Sequence, residues 1–195
     1  MLTLLEIKTF TYTIELRLEV AGKAVSLTIP REEGEVLTLP TPPAPLEEEA
    51  YKVLLELSEL QKAVKFGLNA LSKGAYSKKA LFQKLVQKGV SKEHAKGAVL
   101  KAVHYGYIRE EEDIRLWLMQ DFKKQYGPKR TKLALAQKGY PEVLVARVMA
   151  DLQEAGELDY RAAEKELFAA LLASGLPPHK AKAKLERLGF GEDWV

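Results

Sequence analysis

The 195-residue chain has no cysteine. Disulfides and thiolate metal sites are therefore excluded, which is consistent with a reducing cytosol. No apolar run approaches the roughly 20 residues needed to span a bilayer. Met1 opens directly onto a polar-interrupted strand pattern, so the expectation is a cytoplasmic protein with no membrane partner. Asparagine is almost missing, Asn69 being the only one, while Lys and Glu are abundant; that balance leans towards a heat-adapted source. His94, His104 and His179 are the only histidines. They share no spacing with a carboxylate pair that a metal would need, and are expected at the surface or at boundaries. The stretch Gly74-Ala75-Tyr76-Ser77-Lys78-Lys79 lacks the glycine spacing and preceding strand of a phosphate-cradling loop. Glu110, Glu111, Glu112 and Asp113 are compact enough for a divalent cation, but they sit where a helix begins, and complementarity to its dipole is the simpler account. With no convergent His, Cys or carboxylate set, the chain is expected not to be an enzyme. No catalytic residue, cofactor, metal or small-molecule substrate is expected.

What the chain does have is a period. KLVQKGV at 84–90, ALAQKGY at 134–140 and KLERLGF at 184–190 recur every fifty residues. Ala95, Ala98, Val99 and Ala102 align with Val145, Val148, Met149 and Leu152, a spacing that marks one face of an α-helix. Gly106 matches Gly156, Ile108 matches Leu158, and Leu68, Leu118 and Phe168 agree; Leu71 and Leu171 agree too, with Asp121 breaking their column. A fixed period with matched glycines is the signature of a repeat array, which favours an extended binding surface over a pocket. The matched positions themselves read as core and turn residues.

Residues 4–20 alternate apolar and polar through Ile7, Phe10, Tyr12, Ile14, Leu16, Leu18 and Val20, the pattern of a half-buried strand. Ala21-Gly22-Lys23 signals a turn, Val25, Leu27 and Ile29 a return strand, Glu33-Gly34-Glu35 a second turn, and Val36–Leu39 a short third run. So small a sheet should lean on a helix. Pro40, Pro42, Pro43 and Pro45 suggest a stiff extended linker, followed by a helix carrying Tyr51, Leu54, Leu55 and Leu57 towards Leu71. In the repeats, Ser77 and Ser91 are expected to cap helices closed by Gly89 and near Gly106. Glu111 to Tyr126 should form a helix, and Gly127-Pro128 should end one helix and start the next. Asp159 should cap the first helix of copy three, and Pro177-Pro178 should open its second. The chain ends at Val195 before a third helix of that copy, as expected of an atypical terminal repeat. The expected organisation is mainly α: an N-terminal antiparallel β-hairpin or three-stranded sheet over 1–39, a Pro-rich linker and connecting helix over 40–63, and tandem three-helix repeats over 64–113, 114–163 and 164–195 (incomplete) forming an elongated, curved array.

The net charge of +3 conceals segregation. Residues 1–60 carry −6, residues 61–140 carry +12 and residues 141–195 carry −3. A basic block between acidic flanks favours an anionic partner, either nucleic acid or an acidic protein groove. Lys78 and Lys79 open one helix; Lys129, Arg130 and Lys132 open its counterpart, with Lys129 fifty residues after Lys79. Lysines there oppose the helix dipole at a cost of about 0.3–1 kcal/mol, and helix starts offer free N–H groups to an anion. Lys84, Lys88, Lys123, Lys124 and Lys138 extend the set.

The stretches ALSKGAYSKKALFQKLVQKGVSKEHAKGAVLKAVHYGYI at 70–108 and IRLWLMQDFKKQYGPKRTKLALAQKGY at 114–140 resemble the RecX family, bacterial regulators of the RecA recombinase. The second has that family's aromatic-rich first helix, Gly-Pro junction and apolar-x-Lys-Gly ending. The likeness covers about residues 64–195, and the N-terminal hairpin is similar to one found in part of the family. The family usually places acidic residues after the capping serine, where this chain has Lys78 and Lys79, and its usual acidic pair is displaced here into Glu110–Asp113. The resemblance implies a curved, all-helical modulator in the groove of the RecA–DNA filament. Such a modulator restrains recombinase, ATPase and co-protease activities in homologous recombination, DNA repair and the SOS response. The implied partners are the RecA filament and, more weakly, single- or double-stranded DNA backbone. The expected contacts are Lys78, Lys79, Lys84, Lys88, Lys123, Lys124, Lys129, Arg130, Lys132 and Lys138. A helical-repeat protein that binds nucleic acid without a recombinase is the alternative.

Overall fold

The structure, a computed structural model, describes residues 2–191. Met1 and positions 192–195 of the third repeat lie outside the described residues. The elements are β1 (Leu2–Thr9), β2 (Thr13–Val20), β3 (Lys23–Pro30), α1 (Arg31–Val36), β4 (Ala44–Pro45), α2 (Glu48–Leu71), α3 (Lys78–Gln87), α4 (Lys92–His104), α5 (Glu110–Lys123), α6 (Pro128–Gln137), α7 (Glu142–Glu154), α8 (Tyr160–Ala173) and α9 (Pro178–Leu188). Among the described residues no helix is long and apolar enough to cross a membrane. The chain divides into two compact units: residues up to Gly74 with Leu81–Tyr107, and Ala75–Ala80 with residues from Ile108 on.

In the first unit the sheet order is β3-β2-β1-β4. Leu4, Ile14, Leu16, Leu18, Leu27 and Ile29 face inward and form one core with Leu46 and Leu54. Leu54, from α2, is fully buried there, so the sheet leans on a helix as its alternation requires. Each such leucine removed from water contributes roughly 1.5–3 kcal/mol. Three expectations are corrected. Residues 4–20 are two strands, because the chain reverses at 10–12 with Phe10 N–H donating to the Thr13 carbonyl; Phe10 and Tyr12 are exposed. No glycine or proline marks that reversal in the sequence. The Glu33-Gly34-Glu35 stretch is helix α1, and no strand follows at Val36–Leu39. Gly34 permits this, since a Cβ there would lie 2.7 Å from Ile14 Cδ1. The remaining strand comes instead from the proline-rich stretch, where Ala44 and Pro45 pair with Leu4 and Thr3 at the sheet edge, a position that tolerates proline.

The expected boundary at 63/64 falls inside α2, which is continuous to Leu71. Its close packing on α4 uses small residues: Ala63, Ala70, Ala95, Ala98 and Ala102 are buried, and a Cβ on Gly97 would meet Leu60 at 2.8 Å. In the second unit α5 and α7 pack through Ile114, Leu118, Val145, Val148, Met149 and Leu152. The fifty-residue register is thus a register of burial. Leu85, Leu135 and Leu185 are buried alike, and Gly89, Gly139 and Gly189 share left-handed φ of 86°, 83° and 93°. That conformation carries a steric cost for any residue with a Cβ, so glycine closes the second helix of every copy. Ser77, Ser91 and Asp159 cap their helices through side-chain oxygens that accept from Ala80, His94 and Ala162 N–H. Gly127-Pro128 and Pro177-Pro178 stand at the starts of α6 and α9.

Candidate partner-binding surface

Within the second unit, the start of α3 is built into its surroundings. Ser77 Oγ donates to the Lys138 carbonyl at 2.8 Å. Lys78 N–H donates to Glu110 Oε1 at 2.8 Å, and Lys78 Nζ lies 3.0 Å from Glu110 Oε2. Glu110 is buried. Its carboxylate therefore supplies the negative charge that the first turn of α3 lacks, and offsets the dipole penalty of a lysine there. The start of α6 repeats the arrangement with backbone groups: Gly127 N–H donates to the Leu188 carbonyl at 2.7 Å and Lys129 N–H to the Gly189 carbonyl at 3.1 Å. The expectation of free N–H groups at these starts is corrected. The N–H groups of Lys78 and Lys129 are taken by Glu110 and Gly189, and that of Ala80 by Ser77.

Those side chains are placed unevenly. Lys79, Lys123, Lys124, Lys129, Arg130 and Lys138 are exposed, as is Lys78 beyond its ion pair. Lys132 is half-buried and lines a groove of about 250 Å³ with Leu133, Ala136, Tyr140, Glu142 and Val145. These eight belong to the second unit, whereas Lys84 and Lys88 belong to the first. Lys79 sits beside the Lys138-Gly139 turn, its Cβ 3.4 Å from where a Gly139 Cβ would be. Lys129 lines a groove of about 460 Å³ together with Lys182, Glu164, Glu186 and Phe190.

Two of these expected contact residues sit on aromatic rings. Arg130 Cζ lies 3.7 Å from the centroid of the Tyr126 ring, and Lys138 Nζ lies 4.2 Å from that of Trp117. Both are close enough for cation–π attraction. The aromatic partners were not among the expected contacts. A column-by-column comparison could have found Trp117, because the matching positions are Gly67 and Leu167.

The acidic run at the start of α5 does not converge on one point. Glu110 turns to Lys78, Glu111 to Arg147 at 2.8 Å, Glu112 to Arg109 at 3.2 Å, and Asp113 accepts from Tyr140 Oη at 3.5 Å. Among the described residues no group of three or more His, Asp or Glu is placed to hold a metal. His94 bridges Ser91 Oγ and Glu56 at 2.9 and 3.0 Å in the first unit, while His104 and His179 are exposed. Burial, then the Asp113 charge, pushes the Tyr140 hydroxyl up to about 12. Burial also raises the Asp113 carboxyl. In the first unit, burial draws the Lys101 ammonium down, but the Glu33 carboxylate at 2.6 Å carries it above its ordinary value.

No family model matches the sequence. A regulatory protein RecX of Caldanaerobacter subterraneus subsp. tengcongensis is 26% identical over 118 residues, which is 60% of this chain and 55% of that relative. The chain thus spans about half the length of the curated relative it matches. A crystal structure of a regulatory protein RecX aligns with a TM-score of 0.71 at 16% identity, covering 98% of this chain and 95% of the other. The crystal structure of RecX from Lactobacillus salivarius aligns over 67% of this chain and 96% of its own, with a TM-score of 0.46 and 16% identity.

Proposed function

We infer that this chain, whose sequence and structural matches support its assignment to the RecX family, is a non-enzymatic regulator of the RecA recombinase. It binds the RecA–DNA filament in its groove through basic side chains and inhibits it. The single observation that carries the reading is the sequence match to a protein named as regulatory. The +12 charge of residues 61–140 supports it, since the filament presents nucleic acid phosphates. Lys79, Lys129 and Arg130 have exposed side chains, and Arg130 rests on Tyr126. Their backbones are held by the packing of successive copies, so the charges stand on rigid supports.

The test is RecA-driven ATP hydrolysis on single-stranded DNA as the protein is titrated in. The expected result is a progressive fall in rate. The combined substitution Lys79→Glu, Lys129→Glu and Arg130→Glu is expected to weaken the effect at least tenfold while leaving thermal unfolding nearly unchanged. An unaltered hydrolysis rate, with no filament binding, removes the reading.

A plain DNA-binding helical protein is the second reading, favoured by the same exposed cations. It requires steep salt dependence on naked DNA, log affinity falling with log salt in proportion to the phosphates neutralised. Weak binding to naked DNA beside tight binding to filaments dismisses it.

A further inference from the structure

We propose that Trp117 and Tyr126 are stacking platforms for unpaired nucleobases, each held under a cation that moves to a phosphate when a base arrives. The proposal rests on the reading of this basic surface as one that faces nucleic acid, and names the groups that tell a single strand from a bare polyanion.

The Trp117 ring, and the pairing of either ring with a cation, are not demanded by the repeat, although a tyrosine recurs at Tyr76. The Trp117 column holds Gly67 and Leu167, and the Lys138 column holds Lys88 and Leu188. The Tyr126 column holds Tyr76 and Leu176, and the Arg130 column Ala80 and Lys180. Only the second copy has both an aromatic and a cation in each pair of columns. Yet Leu118, Leu135, Val145 and Leu152 already fill its core, completely or nearly so.

Trp117 packs one side against that core and remains half-buried. The Lys138 ammonium lies over its ring, and Lys138 is itself exposed and able to swing away. The two cations stand eight residues apart at opposite ends of α6, about 12 Å along its axis at 1.5 Å per residue. Lys132 and the exposed Leu133 lie between them along the helix, and Lys129 stands just before Arg130.

Magnitudes decide the exchange. A cation over an exposed ring is worth roughly 2- to 5-fold in an equilibrium constant. Stacking of a nucleobase on an aromatic side chain is worth roughly 5- to 150-fold per base. Replacing the ammonium with a base is therefore favourable, and the released lysine gains a phosphate. A duplex, whose bases are already stacked, offers no such exchange.

The experiment uses the full chain with Trp194→Phe, which leaves Trp117 as its only tryptophan. Three probes are titrated: a thymidine oligonucleotide, an abasic sugar–phosphate oligomer of equal length, and inorganic polyphosphate. The oligonucleotide is expected to quench Trp117 emission, and the two baseless polyanions are expected not to. Trp117→Leu, which copies Leu167, should lower affinity for the oligonucleotide at least fivefold and leave the abasic oligomer unaffected; Trp117→Tyr, retaining a ring, should restore most of the loss. Equal quenching by the abasic oligomer, or a leucine variant that binds thymidine as tightly as the parent, overturns the platform. If those results come with intact inhibition of RecA hydrolysis, the regulator reading stands without it. If no strand binds, the platform fails, and the hydrolysis assay then shows whether the regulator reading fails too.

Discussion

Ser77 and Lys138 are joined across 61 residues of chain: the serine hydroxyl donates to the lysine carbonyl at 2.8 Å while its oxygen accepts from Ala80 N–H at 3.1 Å. Gly127 and Leu188 stand at the same separation and make the corresponding bond through backbone alone. One second helix therefore begins where the next copy's second helix ends. The interlock uses the glycine turn that the fifty-residue period repeats.

Ser77→Ala removes the cap and the interlock together. Ser77 is fully buried, and the Lys138 carbonyl loses its side-chain donor. The expected loss is about 1–3 kcal/mol, read as a lower denaturant midpoint with unchanged slope. A variant as stable as the parent removes the interlock as a source of stability.

Gly127→Ala isolates close approach from conformational strain. Its φ of −78° suits alanine, yet a Cβ would collide with the Gly189 carbonyl group. Overpacking of this kind costs about 1–3 kcal/mol or more. Calorimetry of the variant should show a lowered Tm, against the gain that alanine usually brings where its backbone fits.

Asp121 and Thr131 form a buried polar pair, Thr131 Oγ1 donating to Asp121 Oδ2 at 3.1 Å. The matching columns in copy one are Leu71 and Leu81. Thr131→Val alone should cost about 1–3 kcal/mol, because the carboxylate loses its donor. Asp121→Leu combined with Thr131→Val should return to within about 1 kcal/mol of the parent. A double-mutant cycle with no coupling would contradict this.

Alkaline stability should depend on two tyrosines. Burial, then the Asp113 charge, raises Tyr140 to about 12; burial, then the Asp121 charge, raises Tyr160 as well. Folded-state values above the unfolded one mean that the proton is held more tightly in the native protein. Their contribution is therefore complete below a pH of about 10 and is lost as pH rises towards 12, by up to about 1.4 kcal/mol per unit for each group. Tyr140→Phe should flatten the decline in unfolding free energy over that window. An identical decline would show that Tyr140 carries none of it.

Most of the helical half was legible in the residues. Capping by Ser77, Ser91 and Asp159, the prolines at 128 and 178, and the glycines at 89, 139 and 189 act within a turn of where they stand. The sheet was less legible. The reversal at 10–12 has no turn residue, and Ala44–Pro45 becomes a strand only because β1 presents an edge to it.

The amino-acid order by itself determined the period, the helix ends and the segregation of charge, since each follows from local backbone preference or simple counting. Tertiary structure decided what the charges are free to do. Lys78 is tied to Glu110, the N–H groups of Lys78 and Lys129 are spent on Glu110 and Gly189, and Lys138 and Arg130 rest on aromatic rings. Apart from Arg130 and Tyr126, four residues apart, these pairings join residues tens of positions apart, and distance along the chain carries no information about them until packing brings them together.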